Sequence, residues 1–152
     1  MTDFDSLTRD LNVKRNSLLV PVSEGDLESF EKSIKPPNFL PPDYRRFLRK
    51  YNGGSFIECV IMETPVGPVV VAQFYSLLES DEYYIVRAWN NLSGYISEGF
   101  LPIAVDPGGS YFVIDLTPSR NGVVDFWDHE NQKFTFIADS FSEFIGKMEV
   151  DS

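Results

Sequence analysis

The side chains best suited to chemistry occur in the hexapeptide Asp-Phe-Trp-Asp-His-Glu, which ends at Glu130. Three carboxylates and an imidazole at this spacing could bind a metal ion or transfer protons. On a strand, Asp125 would share a face with Trp127 and His129, while Asp128 and Glu130 would share the other. A metal site would also need ligands from another element, and no other segment supplies them. We therefore expect the two aromatic residues to anchor a sheet and the last three residues to form a polar turn.

Other catalytic and cofactor-binding patterns are missing from the sequence. It contains no G-x-x-x-x-G-K-[ST] loop, no G-x-G-x-x-G fingerprint and no G-x-S-x-G nucleophile elbow. The single cysteine, Cys59, lies in an apolar run and is expected to be an inert core residue. With one Cys and one His, the chain lacks an internal disulfide and a Cys/His zinc site. We expect no cofactor, no metal and no enzymatic activity; acid–base chemistry by Asp125, Asp128 and His129 is the less favoured alternative.

Negative charge is concentrated in the middle of the chain. The 152 residues include 13 Lys+Arg and 23 Asp+Glu, which gives a net charge of −10. Residues 1–50 carry nine cations and eight carboxylates, residues 51–130 carry two and eleven, and residues 131–152 carry two and four. This balance disfavours nucleic acid, because a non-specific binder needs cations to displace phosphate counterions. An acidic surface either maintains solubility or attracts a basic protein partner.

Neither a targeting signal nor a membrane segment is recognisable. The first five residues are acidic and no apolar run follows them, which is unlike a signal peptide. The longest apolar stretch, residues 66–74, is too short to cross a bilayer. We expect a cytoplasmic protein without membrane association, and its length fits a single domain.

Two amphipathic helices are predicted between residues 23 and 54. Ser23 can cap the first by accepting a hydrogen bond from a backbone N–H, and Pro36-Pro37 ends it. The second begins at Pro42 and ends at Asn52-Gly53-Gly54, where glycine permits a left-handed backbone. Apolar residues recur at three- and four-residue intervals in both helices: Leu27, Phe30 and Ile34 in the first, and Tyr44, Phe47, Leu48 and Tyr51 in the second.

The opposite face of the second helix is basic, with Arg45, Arg46, Arg49 and Lys50. A nucleic-acid patch is disfavoured because no aromatic stacking residues interleave these cations. We expect a solvated face, and an intramolecular complement to the acidic middle is the alternative.

The remaining pattern combines short strands with three further helices. The first of these helices is predicted to end near Val13. The second is predicted to be capped by Ser80 or Asp81 and to carry an apolar stripe from Ile85 to Leu92. The third is predicted to begin at Ser140. A hairpin is predicted from two β-rich runs, Phe56–Met62 and Val69–Phe74. Four short strands separated by turns follow: Leu101–Val105, Tyr111–Leu116, Val123–Trp127 and Phe134–Ala138. This order predicts a single α+β domain with an antiparallel sheet of about six strands.

The segment from Leu40 to Gly54 resembles the signature helix of the SUKH superfamily, the Smi/Knr group. It contains Leu-Pro-x-Asp-Tyr, then Phe-Leu, then Asn-Gly-Gly. Four other segments resemble family elements in the family's order: residues 23–34, 101–112, 124–130 and 138–144. The resemblance covers about residues 23–148.

This resemblance implies an α+β fold and a non-enzymatic protein-binding function. Bacterial members of the superfamily are largely immunity proteins, which bind and neutralise a cognate polymorphic toxin that is often a nuclease. Fungal members act as interaction proteins in cell-wall synthesis signalling. We expect an immunity protein whose partner is a basic toxin domain; the alternative is a regulatory interaction module without a toxin partner.

Combined with the charge distribution, this expectation selects a set of partner-binding candidates. They are exposed carboxylates of the central block and aromatic residues that could anchor a partner. The set comprises Glu79, Asp81, Glu82, Tyr83, Tyr84, Glu98, Asp128 and Glu130.

Overall fold

The structure, a computed structural model, describes residues 22–56 and 59–151 and the backbone of residues 13 and 14. The helices are α1 (Glu24–Glu31), α2 (Pro42–Tyr51), α3 (Ile85–Leu92) and α4 (Phe141–Gly146). The strands are β1 (Val13–Lys14), β2 (Gly54–Phe56), β3 (Val60–Thr64), β4 (Gly67–Val70), β5 (Gln73–Phe74), β6 (Phe100–Val105), β7 (Tyr111–Asp115), β8 (Val124–Asp128), β9 (Lys133–Ala138) and β10 (Glu149–Val150). The helix predicted to end near Val13 lies outside the described residues, except that Val13 itself is in β1.

The strands form two antiparallel sheets. The larger sheet has the order β1-β2-β5-β6-β7-β8-β9, and the smaller has the order β10-β3-β4. The predicted α+β class and the four-strand meander β6–β9 are confirmed. The predicted hairpin is only partly right, because each of its runs is divided between the sheets. Strands β3 and β4 form the hairpin of the small sheet, whereas β2 and β5 pair with each other in the large one.

The core lies between one face of the large sheet and helices α2 and α4. Phe74, Ala104, Phe112 and Phe126 pair in register across adjacent strands and therefore share this inner face. The ring centroid of Phe47 on α2 lies 4.6 Å from Phe74 and 5.0 Å from Phe141 of α4. The Phe144 ring lies 5.2 Å from Phe112. The apolar stripes predicted for these helices therefore face the sheet.

Ion pairs join α1 to α2. Arg45 donates to the carboxylates of Glu24 and Glu31, and Arg49 lies 3.0 Å from the other oxygen of Glu24. The solvated face expected for α2 is confirmed at Arg49, which is exposed, and is wrong at Arg45, which is half-buried against the two carboxylates. Their partners are on α1 and not in the acidic middle, because two helices that pack side by side bring their polar edges together.

Side-chain caps define two of the helix starts. Ser23 Oγ accepts from Asp26 N at 3.1 Å, and Ser140 Oγ accepts from Glu143 N at 3.0 Å, as predicted. The cap predicted for α3 is wrong. Tyr84 occupies that position without a side-chain bond, and Ile85 N donates instead to the carbonyl of Ser76 at 2.8 Å. A backbone acceptor in the segment after β5 thus replaces the local cap.

Asp43 fastens the N-terminus of α4 to α2. One oxygen of its carboxylate accepts hydrogen bonds from Ser142 N at 2.8 Å and Ser142 Oγ at 2.9 Å. The positive end of the α4 dipole also stabilises the negative charge of this carboxylate. The Asp-Tyr pair of the signature helix therefore serves the fold, since Asp43 holds α4 while Tyr44 is buried beside Phe141.

The turn after α2 has a left-handed backbone. Asn52 has φ 49° and its side-chain oxygen accepts from Leu77 N at 2.8 Å. Gly53 has φ 89°, and a Cβ there would lie 2.9 Å from Ser76 Cβ and 3.0 Å from the carbonyl oxygen of Tyr75. Glycine is therefore required both for the backbone conformation and for the close approach of two segments.

Replacing the central ring of the core should be costly. Phe47→Ala removes a fully buried ring that contacts α4 and the sheet, so we expect a loss of about 3–5 kcal/mol in the free energy of unfolding. Phe39→Ala, at a half-exposed position, should change it by less than about 0.5 kcal/mol. Urea unfolding measures both, and equal effects would contradict the assigned core.

A pair of glycine variants separates backbone strain from steric contact. Gly53→Ala and Gly67→Ala both place a side chain at positive φ, which costs about 1–2 kcal/mol. Only Gly53→Ala also meets neighbouring atoms, which adds about 1–3 kcal/mol, whereas nothing lies within 4 Å at Gly67. Thermal and urea unfolding should show the larger loss for Gly53→Ala; the reverse order would contradict the packing at this turn.

Candidate partner-binding surface

An acidic cleft opens at one end of the meander. Its volume is about 480 Å³. It lies between the β3–β4 hairpin, the β6–β7 turn and the β8–β9 turn. Its carboxylates come from Asp106, Asp128 and Glu130, and no lysine or arginine is among the described residues that line it. The apolar lining residues are Val66, Pro68, Val69, Val70, Pro107 and Phe126. This combination suits a long cationic side chain, whose methylene stem is apolar and whose head is charged.

Ser110 joins the two turns that carry these carboxylates. Its hydroxyl lies 2.8 Å from His129 Nδ1 and accepts from His129 N at 3.2 Å. Its own N–H donates to Asp106 Oδ1 at 2.7 Å. Ser110 is buried; its hydroxyl binds His129 of the β8–β9 turn and its N–H binds Asp106 of the β6–β7 turn, so the residue connects the turns and fixes the cleft wall.

Sequence reasoning included Asp128 and Glu130 but missed Asp106 and Ser110. In an antiparallel meander, the β6–β7 and β8–β9 turns lie at the same end of the sheet. The Asp-Pro-Gly-Gly turn at residues 106–109 could therefore have been placed beside residues 128–130 from the strand pattern alone. The predicted polar turn is confirmed, because β8 ends at Asp128 and Glu130 N donates to Asp128 Oδ1 at 2.9 Å.

A second acidic feature is the loop from Leu77 to Tyr84, here called the acidic loop. The guanidinium of Arg87 donates to the carbonyl oxygens of Glu79 and Asp81, each at 3.1 Å, and to that of Glu82 at 3.4 Å. Arg87 therefore holds the loop through backbone carbonyls and not through the side-chain carboxylates of the loop. Glu79 and Glu82 are exposed.

The other candidates from this loop have internal roles. Asp81 Oδ2 accepts from Ser76 Oγ at 2.7 Å, which ties the loop to the end of β5. The Tyr83 ring lies 6.1 Å from Tyr75, and the Tyr84 ring lies 5.5 Å from the Arg87 guanidinium. Both tyrosines are half-buried. Asp81, Tyr83 and Tyr84 therefore shape the loop.

Glu98 lies apart from the loop and the cleft. It forms an exposed ion pair with Lys35 at 3.4 Å and lines a separate cavity of about 320 Å³ beside Trp89. Because exposed pairs contribute little to stability, Glu98 can exchange partners at low cost. The structure thus divides the predicted set among the acidic loop, the acidic cleft and the position of Glu98.

Asp125 does not belong to the cleft. It pairs with Phe136 of β9 on the outer face of the sheet, where Arg120 contacts it at 3.4 Å and contacts Asp115 at 3.0 Å. Burial raises the pKa of the Asp125 carboxyl, and the neighbouring guanidinium opposes this rise. Asp125 therefore faces away from Asp128, so the structure does not bring the carboxylates of residues 125–130 together on one side of the sheet. No group of three potential ligands suited to a metal occurs among residues 22–56 and 59–151.

Cys59 is exposed and carries a free thiol, so the expectation of a core residue is wrong. The apolar run from Phe56 to Met62 predicts one strand, whereas Cys59 precedes β3 in the connection between the two sheets. The break in the run therefore leaves it at the surface.

The chain belongs to the SMI1 / KNR4 family (SUKH-1), whose family model matches residues 21–147. Family membership supports the class of immunity proteins and interaction modules. A relative is the SPbeta prophage-derived uncharacterized protein YokK of Bacillus subtilis (strain 168), which is 30% identical over 131 residues. The match covers 71% of this chain and 66% of the relative, so the chain spans slightly less than two thirds of that protein's length. In the described ranges, no helix has both the length and the apolar content to span a membrane.

The buried carboxylate should make stability depend on pH. The pKa of the Asp125 carboxyl is raised in the folded state, so ionisation of this carboxyl lowers the free energy of unfolding. The loss of stability is absent at pH values below the unfolded-state pKa. It is complete at pH values above the folded-state pKa. Asp125→Asn removes the titration. We therefore expect the unfolding free energy of Asp125→Asn, relative to that of the unmodified protein, to increase as pH rises from about 3 to 7.

Urea unfolding of both proteins across this pH range measures the difference. Glu28→Asn, at an exposed carboxylate on α1, is the matched control and should show no comparable trend. A relative stability of Asp125→Asn that falls with rising pH would contradict the raised pKa.

Proposed function

We propose that this protein is an immunity protein that binds a cognate toxin domain through its acidic cleft and acidic loop. The observation that carries the proposal is a cleft with three carboxylates and no lining cation, in a chain whose family includes immunity proteins. The partner surface that fits it is basic. Toxins that cleave nucleic acid have such surfaces, because their substrate is a polyanion.

Electrostatics supply the rate and the specificity of this binding. Carboxylates grouped on one surface attract a basic partner before contact and disfavour acidic competitors. The rigid attachment of both turns through Ser110 keeps Asp106 and Asp128 at fixed positions, which reduces the entropy lost on binding. An occupied basic surface is closed to nucleic acid, so neutralisation needs no chemical step.

The apolar wall of the cleft adds affinity to this attraction. Val66 is 66% exposed at the tip of the β3–β4 hairpin, and Val69 and Val70 continue the wall on β4. Burying apolar surface contributes about 25 cal/mol per Å², independently of salt. The cleft therefore combines a salt-sensitive encounter with a salt-resistant contact.

Co-expression with a toxic domain that a neighbouring gene encodes tests the proposal directly. We expect rescue of growth and a stable purified complex. In the purified system, Glu130→Lys should lower the association rate roughly threefold to tenfold at low salt, because it reverses a charge at the cleft. The association rate of the unmodified protein should also fall as ionic strength rises.

Glu28→Lys provides the matched control, since it makes the same charge change on α1, away from the cleft. It should alter the association rate much less than Glu130→Lys. An association rate independent of salt would overturn the electrostatic proposal. Absence of both rescue and binding would overturn the immunity function itself.

A further inference from the structure

The outer edge of β4 directs backbone groups towards the acidic cleft. In the small sheet, β4 pairs with β3 on one side and is the last strand on the other. Val71 N donates to the carbonyl of Val60 at 3.0 Å. Because hydrogen bonding alternates along an antiparallel strand, the adjacent Val70 directs its N–H and its carbonyl away from β3. Val70 also lines the cleft, so its backbone offers a donor and an acceptor at the cleft wall.

The path of the chain explains why this edge is open. Strands β2 and β3 flank one side of β5 and β4, and β6 flanks β5 on the other side. On that side Ala72 N donates to the carbonyl of Val105 at 3.0 Å. β6 ends at Val105, and the chain turns back where Gly109 N donates to the carbonyl of Asp106 at 3.2 Å. The cleft is therefore the space beside β4 that a longer β6 would have filled.

Pro68 restricts what can pair with this edge. It lies two residues before Val70, so its backbone faces the same side, and proline has no N–H to donate. Only its carbonyl is left to accept a hydrogen bond. Proline on an edge strand is a common device against indiscriminate pairing. A strand that binds here therefore gains few backbone hydrogen bonds and depends on its side chains as well.

The side chains around the edge select a basic strand. Asp106, Asp128 and Glu130 stand across the cleft from β4, and Val66 and Val69 supply its apolar wall. Alternate side chains of an extended segment point to opposite sides. A lysine or arginine of such a segment reaches the carboxylates, while its methylene stem packs on the valines. Charge and open backbone groups thus point independently to the same occupant.

We propose that the acidic cleft binds an extended basic segment of the partner protein, which pairs as an additional strand with β4 through the backbone of Val70. Main-chain hydrogen bonds give the segment its position, and the carboxylates give the preference for lysine or arginine. This inference rests on the proposed function, because it names the part of the partner that occupies the same cleft.

Two synthetic peptides test the strand pairing. The first is an acetylated seven-residue peptide of alternating valine and lysine. The second has the same sequence with N-methyl groups on its three central amides, which keeps the charge and removes the donors. Titration of the isotope-labelled full chain, followed by NMR, should shift the amide signal of Val70 with the first peptide. The dissociation constant of the N-methylated peptide should be at least about fivefold higher, because its hydrogen bonds to β4 are lost.

Two variants of β4 change the edge in opposite directions. Pro68→Val adds an N–H to the open edge and should lower the dissociation constant of the first peptide roughly twofold to tenfold. Val70→Pro removes the donor that faces the cleft and should raise it by a similar factor. Pro118→Val, at an exposed position outside the cleft, is the matched control and should leave it unchanged. Circular dichroism of each variant verifies the fold.

The outcomes separate this inference from the proposed function. Equal dissociation constants for the two peptides would overturn the strand pairing, and so would unchanged binding of the first peptide to Pro68→Val. Absence of binding by the first peptide would overturn the extended basic segment. Growth rescue on co-expression with the toxic domain tests immunity independently of these results. Loss of rescue with peptide binding intact would overturn the immunity function and leave the strand pairing in place.

Discussion

The left-handed turn after α2 is the constraint on which the rest of the structure depends. Gly53 packs against Tyr75 and Ser76 at a distance that excludes any side chain, and Asn52 binds Leu77 N beside it. Ser76 in turn donates to Asp81 and accepts from the N-terminus of α3. A chain of hydrogen bonds thus runs from the end of α2 through the acidic loop to α3. The motif that marks the family therefore positions a candidate binding loop through contacts within the chain.

Local patterns predicted those parts of the fold that local physics controls. The stripe of α2, the serine caps of α1 and α4 and the strands of the meander each depend on residues a few positions apart. Their bounds agree with the structure to within one or two residues. The division of residues 56–74 between two sheets was not predictable in this way. Both runs have the same β-rich composition, and the choice of partner strand depends on distant residues of β1, β6 and β10.

In the candidate site, too, the sequence predicted what depends on neighbouring residues and missed what depends on contacts between distant segments. Charge counting located the acidic block and therefore Asp128 and Glu130, but it gave every carboxylate equal weight. The structure distinguishes them by long-range contacts that no sequence spacing reveals. Arg87 binds loop carbonyls, and Arg45 pairs with Glu24 and Glu31 of α1.

Net charge is therefore a poor measure of the electrostatic surface of this protein. Of the eleven carboxylates in residues 51–130, Asp115 and Asp125 are buried beneath Arg120 and Asp81 is bound by Ser76. Salt screens exposed charges beyond about 8–10 Å, so a partner responds to carboxylates near its own contact surface and not to the total. The cleft carboxylates lie at one end of the meander, whereas Arg120 covers Asp115 and Asp125 on the outer face of the sheet. Reversing a charge at the cleft can thus alter binding there while leaving the ion pairs of the outer face intact.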